Sequence, residues 1–371
     1  MKKKCEVCGR EGSKLYLPIN PIFKKEQIKY GYSNTLPETL NAKEYVCKYC
    51  DSPDRERLCA SFFQQVLQRN VKLNILEIAP GKAMKSFFSK NFPYCNYYTT
   101  DLFMDEVDFK ADIQDMSIIG DNSFDIVICF HVLEHVKSDH LALKEIYRIL
   151  KKDGLALLLV PIDLRQKIID EEWGLSADEN IRRFGQSDHV RKYSKEGFIK
   201  RISDAGFYVY QVDKKFLGKK SFYYNALSRT STLYVGCKNH HIDLKKENNL
   251  FGNQIAEIKY SNAIKYSIDG FEVRNNILNI WGWMFCEHST FLQPCGILCA
   301  YSDLDKKKRY KRFVLKPRED VKNVFGEKGY YSGIEVTWDD FRISKDEKTI
   351  IEIFFDDGKI IYDIGYKGEI D

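Results

Sequence analysis

From Leu73 onward, short apolar runs alternate with stretches in which apolar residues recur every three or four positions. LNILEIA, NYYTTDL, FDIVICF and LALLLVPI have strand length, while KAMKSFFSKN and HLALKEIYRIL between them carry the helical period. In the second of these, Leu143, Ile146, Tyr147 and Leu150 fall at i, i+3, i+4 and i+7. Lys151-Lys152-Asp153-Gly154 behind them suits a helix C-terminus. After a long loop, SKEGFIKRISDAG predicts another helix, and FYVYQVD and STLYVGCK predict two late strands. Strand-helix alternation of this kind predicts an α/β domain over residues 59–240, with a doubly wound, Rossmann-like parallel sheet covered on both faces.

The pattern differs on either side. Residues 1–58 hold two chelating pairs, Cys5-x-x-Cys8 and Cys47-x-x-Cys50. Each can place two thiolates on one ion from a tight turn, which is the spacing logic of a tetrahedral four-thiolate zinc site. Such a site is closed to water and substrate, so the expected zinc is structural. Ser52-Pro53 reads as N-cap and first residue of an amphipathic helix, DRERLCASFFQQVLQRN, with Leu58, Phe62 and Leu67 near one face. Beyond 240, HHIDLKKENN reads as part of a polar linker over 241–261. Residues 262–371 then show short strands typical of a compact β-sandwich, with Asp357-Gly358 as a hairpin signal.

Composition narrows the classes. A chain of 371 residues exceeds what one core usually supports, and 44% apolar with 30% charged residues is ordinary for a globular protein. The net charge is +5, but the 58 basic and 53 acidic residues are interspersed, so no strong polyanion-binding field is implied and nucleic acid is not favoured. Leu155 to Ile162 is the longest strongly apolar run, far short of the ~20 residues of a membrane helix. MKKKCEVCGREG has a basic opening without the apolar stretch of a secretory signal. The expectation is a cytoplasmic protein whose cysteines serve as metal ligands and buried thiols.

Candidate chemistry gathers at the carboxyl ends of the predicted strands, where doubly wound sheets bind ligands. The first strand ends in Glu77-Ile78-Ala79-Pro80-Gly81, and Asp101 ends the second, where a carboxylate can accept bonds from ribose hydroxyls. A dinucleotide site would want G-x-G-x-x-G after the first strand, and only Gly81 is present, which leaves a nucleoside without a pyrophosphate. His131 and His135 follow the fourth strand. His189, within Gln186-Ser187-Asp188-His189-Val190-Arg191, lies in the loop after the fifth. Glu134 between the first two histidines does not complete the H-E-x-x-H zinc pattern, so no metal role is assigned to them.

The ordered segments ILEIAPG, YYTTDL, DFKADIQDM, NSFDIVICFHVLEHV, ALKEIYRILKKDGLALLLVPI and FGQSDHVRKYSKEGFIKRISDAGF resemble the bacterial type-11-like, class I S-adenosylmethionine-dependent methyltransferases. CKYCDSPDRERL fits the CxxC pair and Ser-x-x-Arg-x-Arg-Leu element that such proteins often carry. The resemblance covers roughly residues 1–240. It implies that Glu77 and the Ala79-Pro80-Gly81 turn hold the amino-acid part of the cofactor, and that Asp101, with Leu102 beside it, binds the ribose. It further implies that Asp112 and Ile113 contact the adenine and that Phe130 and His131 line the methyl end. Ala79-Pro80 departs from the glycine-rich turn of the wider superfamily.

Methyl transfer to oxygen is an in-line displacement that needs alignment and a proton acceptor, and His189, with His131 as the other candidate, is the expected base. WGWMF and KPREDVKNVFGEKGYYSGIEV are similar to a small β module found beside enzymes of bacterial surface-polysaccharide assembly. The leading expectation is therefore O-methylation of a surface-polysaccharide sugar or its precursor, with a small-molecule or saccharide acceptor and association with the assembly enzymes. An RNA methyltransferase with a zinc module and a non-catalytic cofactor-binding scaffold are the alternatives. Trp281, Trp283 and Trp338 could form a sugar-stacking face, although aromatics at strand spacing are more often core.

Overall fold

The computed structural model describes residues 2–32, 35–238, 258–260, 264–274, 277–286, 295–302, 308–325, 331–338, 348–356 and 361–370. The chain divides into two compact units. One comprises Met1–Gln68, Leu73–Phe87 and Tyr97–Leu250, and the other Arg69–Lys72, Phe88–Asn96 and Phe251–Asp371.

The first unit is built on a seven-stranded sheet of β1 (Asn74–Ile78), β2 (Asn96–Asp101), β3 (Phe109–Lys110), β4 (Phe124–Phe130), β5 (Leu150–Leu159), β6 (Tyr208–Val212) and β7 (Leu233–Cys237), in spatial order β6-β7-β5-β4-β1-β2-β3. Strands β4 and β1, and β4 and β5, pair in parallel, whereas β7 runs antiparallel to both β5 and β6. The sheet is thus mixed, not wholly parallel: the β6–β7 return is antiparallel, and β7 inserts between β6 and β5. The order reverses beside β1, which puts the ligand-binding crevice of such sheets at the carboxyl ends of β1 and β4.

The accompanying helices are α1 (Pro21–Lys29), α2 (Asp54–Val66), α3 (Lys82–Asn91), α4 (Asp139–Ile149), α5 (Ala177–Phe184), α6 (Lys195–Asp204) and α7 (Lys214–Tyr224), with α7 kinked at Gly218. Leu143, Ile146 and Ile149 of α4 and Phe198 and Ile202 of α6 are buried in one core with Leu76, Val127 and Leu158 of the strands. Ser138 and Ser194 cap α4 and α6 by accepting from Leu141 N and Gly197 N.

Two local expectations are corrected. Helix α4 does not end on the Lys151–Gly154 segment; β5 begins at Leu150, directly after the helix. Gly154 lies inside that strand, where a Cβ would come 2.9 Å from the Asp125 carbonyl, so close packing and not helix termination explains the glycine. Nor does Ser52 cap α2. The helix starts at Asp54, with Pro53 at the cap position, and the Ser52 hydroxyl turns instead to Cys5 and Cys50, 3.5 and 3.1 Å from their sulfurs.

Helix α2 is the hub of the first unit. Arg57 is fully buried and donates from Nε to Asn225 O (2.8 Å), from Nη1 to Tyr45 O (2.8 Å) and Ser52 O (2.7 Å), and from Nη2 to Glu44 O (2.9 Å). Its guanidinium also lies 4.2 Å from the centre of the Tyr16 ring.

The second unit carries two sheets. One contains β8 (Ile258–Tyr260), β11 (Cys295–Ser302), β12 (Arg309–Val314), β15 (Thr349–Asp356) and β16 (Ile361–Ile370); the other contains β9 (Ile264–Arg274), β10 (Ile277–Cys286), β13 (Lys316–Pro317) and β14 (Tyr331–Trp338). One apolar core takes Leu278, Ile280 and Val336 from one sheet and Leu298, Ile351 and Phe355 from the other, as alternation in the strands requires. Asp357-Gly358 and most of the 241–261 linker lie outside the described residues, but β15 and β16 pair antiparallel with Asp356 opposite Ile361. Trp338 belongs to the core, Trp283 stacks on Phe285, and Trp281 is exposed.

Candidate functional site

Four cysteines converge beside α2. Cys5 Sγ lies 3.9 Å from Cys50 Sγ, and Cys8 Sγ lies 3.9 Å from Cys47 Sγ, with all four sulfurs within 4.8 Å of one another. Four thiolates at ~2.3 Å from a tetrahedral ion stand about 3.8 Å apart, so the spacing fits zinc. The two knuckles are built alike. Gly9 N donates to Cys5 O at 2.7 Å and Asp51 N to Cys47 O at 2.9 Å, with Gly9 and Asp51 both at positive φ.

At the carboxyl edge of the sheet, parallel register aligns Ile78 with Cys129, and Ala79 N donates to Thr100 O at 2.9 Å. The ends of β1, β2 and β4 therefore open onto one crevice. Ala79 adopts φ 53°. It thus makes the left-handed bend a glycine would make, at a cost of about 1–2 kcal/mol, so the departure from a glycine-rich turn leaves the turn itself intact.

Glu77 is buried at the end of β1 and accepts from the Tyr97 hydroxyl. Burial, followed by the neighbouring Glu56, holds its carboxyl well above the usual range. Glu56 comes from α2 and is also buried, and a Cβ placed on Gly81 would come 2.4 Å from its Oε1. Its Oε2 has no hydrogen-bond partner, and burial pushes its carboxyl up to about 7. Asp101 turns Oδ1 back onto Phe103 N (2.7 Å) and Met104 N (2.8 Å), leaving Leu102 exposed beside it. Asp112 accepts from Gln114 N at 2.8 Å, and Ile113 next to it is buried in the core.

Phe130 and His131 close β4. His131 has φ 57°, and its N donates to Leu159 O at 2.9 Å. Its Nδ1 lies 3.2 Å from Oε1 of the fully buried Glu134, which is also 3.9 Å from His135 Nε2. His135 Nδ1 lies 3.1 Å from Asp188 Oδ2. The ring of His189 meets that of His135 edge to face, with centroids 4.7 Å apart. His189 is buried, and burial lowers its pKa and favours the neutral ring. For Glu134, burial pushes the carboxyl up but the imidazoles, His131 foremost, outweigh it and bring the value below the usual range. Sequence reasoning named His131, His135 and His189, and the fold brings them around one carboxylate. It missed Glu56 and the part played by Glu134, because the first reaches the crevice from another element and the second needed a third partner from a distant loop.

Residues 53–212 match the model of a methyltransferase domain. The chain is accordingly a methyltransferase, and the seven-stranded mixed sheet is the Rossmann-like scaffold of that domain. Solved structures similar to the chain include the YcgJ protein of Bacillus subtilis (17% identity, covering 45% of this chain and 77% of that one, TM-score 0.30). They also include the CurJ carbon methyltransferase (15%, 51% and 56%, TM-score 0.33) and a S-adenosylmethionine-dependent methyltransferase of Aquifex aeolicus (14%, 49% and 87%, TM-score 0.30). No curated protein matches the chain. No helix among the described residues is long and apolar enough to cross a membrane.

The Glu56–Glu77 pair makes stability pH-dependent. Because the folded-state value of Glu56 stands near 7 against an ordinary 4.5, the native chain binds more protons than the unfolded one between those values. Its contribution to stability is therefore present at low pH and lost as pH rises through that window, by at most about 3 kcal/mol. Urea denaturation at pH 5 and pH 8 should show a steeper loss for wild type than for Glu56→Gln. Identical pH dependence of the two proteins would mean that Glu56 is not buried as described.

Proposed function

We propose that the enzyme uses S-adenosylmethionine to O-methylate a sugar hydroxyl of a bacterial surface polysaccharide or its precursor, and that the four cysteines hold a structural zinc. The observation that carries the cofactor reading is the pair of buried carboxylates, Glu56 and Glu77, meeting at the Gly81 turn with an unpartnered oxygen. Such a pair suits an ammonium group, which relieves both their mutual repulsion and their desolvation. Asp101 would then accept from the ribose, with Asp112 and Ile113 toward the adenine, while Ala79, Pro80 and Gly81 pass close to the amino-acid portion and Leu102 flanks the sugar. When bound, the cofactor supplies a methyl group on a positively charged sulfur that is its own leaving group.

The acceptor hydroxyl must lose a proton as its oxygen attacks, and Phe130 and His131 stand at the end of β4 where it would lie. His131 takes the role of base on this reading in place of the expected His189, because its ring is partly exposed while that of His189 is buried. Glu134 sits 3.2 Å from its Nδ1 and stabilises the imidazolium that forms, and the partly exposed ring offers Nε2 to the acceptor. The neutral, buried ring of His189 braces the same pocket from the loop after β5. The saccharide acceptor rests on the likeness of the C-terminal β module to those of surface-polysaccharide enzymes, with the exposed Trp281 as a stacking surface.

Mass spectrometry of sugar-nucleotide and oligosaccharide acceptors incubated with enzyme and cofactor should show the gain of one methyl group. His131→Gln should lower the turnover of that acceptor by roughly 10² to 10⁴, the usual worth of acid-base catalysis, with cofactor affinity kept. If oligosaccharides stay unmodified while RNA or a small metabolite gains the methyl, the acceptor class proposed here is wrong.

Cofactor affinity gives a separate check. Losing the ribose contact in Asp101→Ala should weaken the demethylated product by roughly 10- to 150-fold in calorimetry, the range for a hydrogen bond to a charged group. An unchanged affinity removes Asp101 from the site. For the cysteine module, elemental analysis should find about one zinc per chain, and Cys47→Ser should lower it and expose residues 1–50 to proteolysis. Zinc-free protein that resists the protease as well as the loaded form would sink the structural zinc.

A further inference from the structure

We infer that Glu134, His135 and His189 form a second metal site, for a divalent ion of the Mn²⁺ and Fe²⁺ class, open to the acceptor side of the crevice. One ligand atom from each of the three residues lies within 4.8 Å of the others. Around an ion with bonds of ~2.1 Å such atoms stand about 3 to 4 Å apart, so small side-chain rotations bring the set onto one metal. Two imidazoles and one carboxylate supply the mixed nitrogen and oxygen donors that suit such ions and leave further positions for other ligands.

Three observations point from this cluster to a ligand. Glu134 is fully buried, and its carboxylate is met only by imidazoles, with His131 Nδ1 3.2 Å from Oε1 and no partner on Oε2, which is costly unless a further cation meets it. His135 places Nδ1 3.1 Å from Asp188 Oδ2. That contact fixes the proton on Nδ1 and leaves the Nε2 lone pair facing Glu134, the arrangement in which an outer carboxylate orients a ligating imidazole. The side chains of His135 and Asp188 are 32% and 67% exposed, whereas Glu134 and His189 form a closed floor, so the unfilled positions of the ion face outward. They lie beside His131, whose Nδ1 is 3.2 Å from the same Glu134 oxygen.

An ion there would take an oxygen of the acceptor as a further ligand and lower the pKa of its hydroxyl, with His131 receiving the proton. This last step rests on the proposed methyl transfer; the metal site itself does not.

The test uses Mn²⁺ on zinc-loaded protein, since thiolate sites discriminate against it. Titration followed by the electron paramagnetic resonance signal of free Mn²⁺ should show one ion bound per chain. Glu134→Gln and His189→Ala should each weaken it by at least about 100-fold, and Asp188→Asn by roughly 10- to 100-fold, as loss of an outer partner does. Mn²⁺ should also broaden the imidazole resonances of His131, His135 and His189 ahead of those of the other histidines in wild type, a readout that needs no variant. No Mn²⁺ bound by folded wild type at millimolar concentration, binding that survives both ligand substitutions, or broadening centred on other histidines overturns the site. Mn²⁺ binding without methyl transfer to any saccharide would leave the site standing and remove the acceptor reading.

Discussion

The first unit depends on one buried cation. Arg57 satisfies four backbone carbonyls from three separate stretches of chain: Glu44 and Tyr45 before the second cysteine pair, Ser52 after it, and Asn225 beyond α7. A charge with no exposure is tolerated only because each of those bonds is short and charge-assisted. The consequence is geometric. The Cys47–Cys50 knuckle, the start of α2 and the segment after α7 cannot shift independently, so α2 enters the sheet domain at a fixed angle and carries Glu56 to the Gly81 turn.

That coupling changes what the cysteine module is for. The sequence placed it as a separate block that ends at residue 58. In the structure the Ser52 hydroxyl touches two of the sulfurs, its carbonyl accepts from Arg57, and Glu56 in the next turn borders the crevice. Only five residues separate Cys50 from Glu56. The cysteine knuckle is therefore joined to the crevice by a short, hydrogen-bonded stretch of backbone, not by a flexible tether.

Much of the scaffold was legible from periodicity. LNILEIA, FDIVICF and LALLLVPI are strands because continuous apolar runs bury both faces of a central sheet, and α4 and α6 follow from the spacing of their apolar residues. What stayed illegible depends on pairing between distant segments. Nothing local distinguishes the antiparallel insertion of β7 between β6 and β5, and the glycine at 154 mimics a helix stop because strand crowding and helix capping select the same residue. At the site, the strand-end residues were readable because their positions follow from the fold. The histidine cluster was only half readable: the H-E-x-x-H test looks for metal ligands on a single helix, whereas here the third group arrives from the loop after β5.

The crevice breaks the rule that buried charges are paired, and it breaks it at both ends. Glu56 has an unpartnered oxygen at one end, and at the other Glu134 is met only by imidazoles, with no partner on Oε2, whereas other buried carboxylates of the first unit are answered by full cations. Asp125 meets Lys151, and Asp139 meets Arg201 and the Tyr193 hydroxyl. Each unanswered group costs of order 1–3 kcal/mol or more, a large share of the 5–15 kcal/mol by which a domain is stable. Arg55 and Arg57 act on Glu56 through space without bonding its free oxygen, and the same low-dielectric surroundings that make that oxygen costly would strengthen any cation that enters. On the proposed reading the two ends then differ only in which cation they await: an ammonium against Glu56 and Glu77, where the donors are all oxygen, and a metal ion at Glu134, where imidazole nitrogens complete the set.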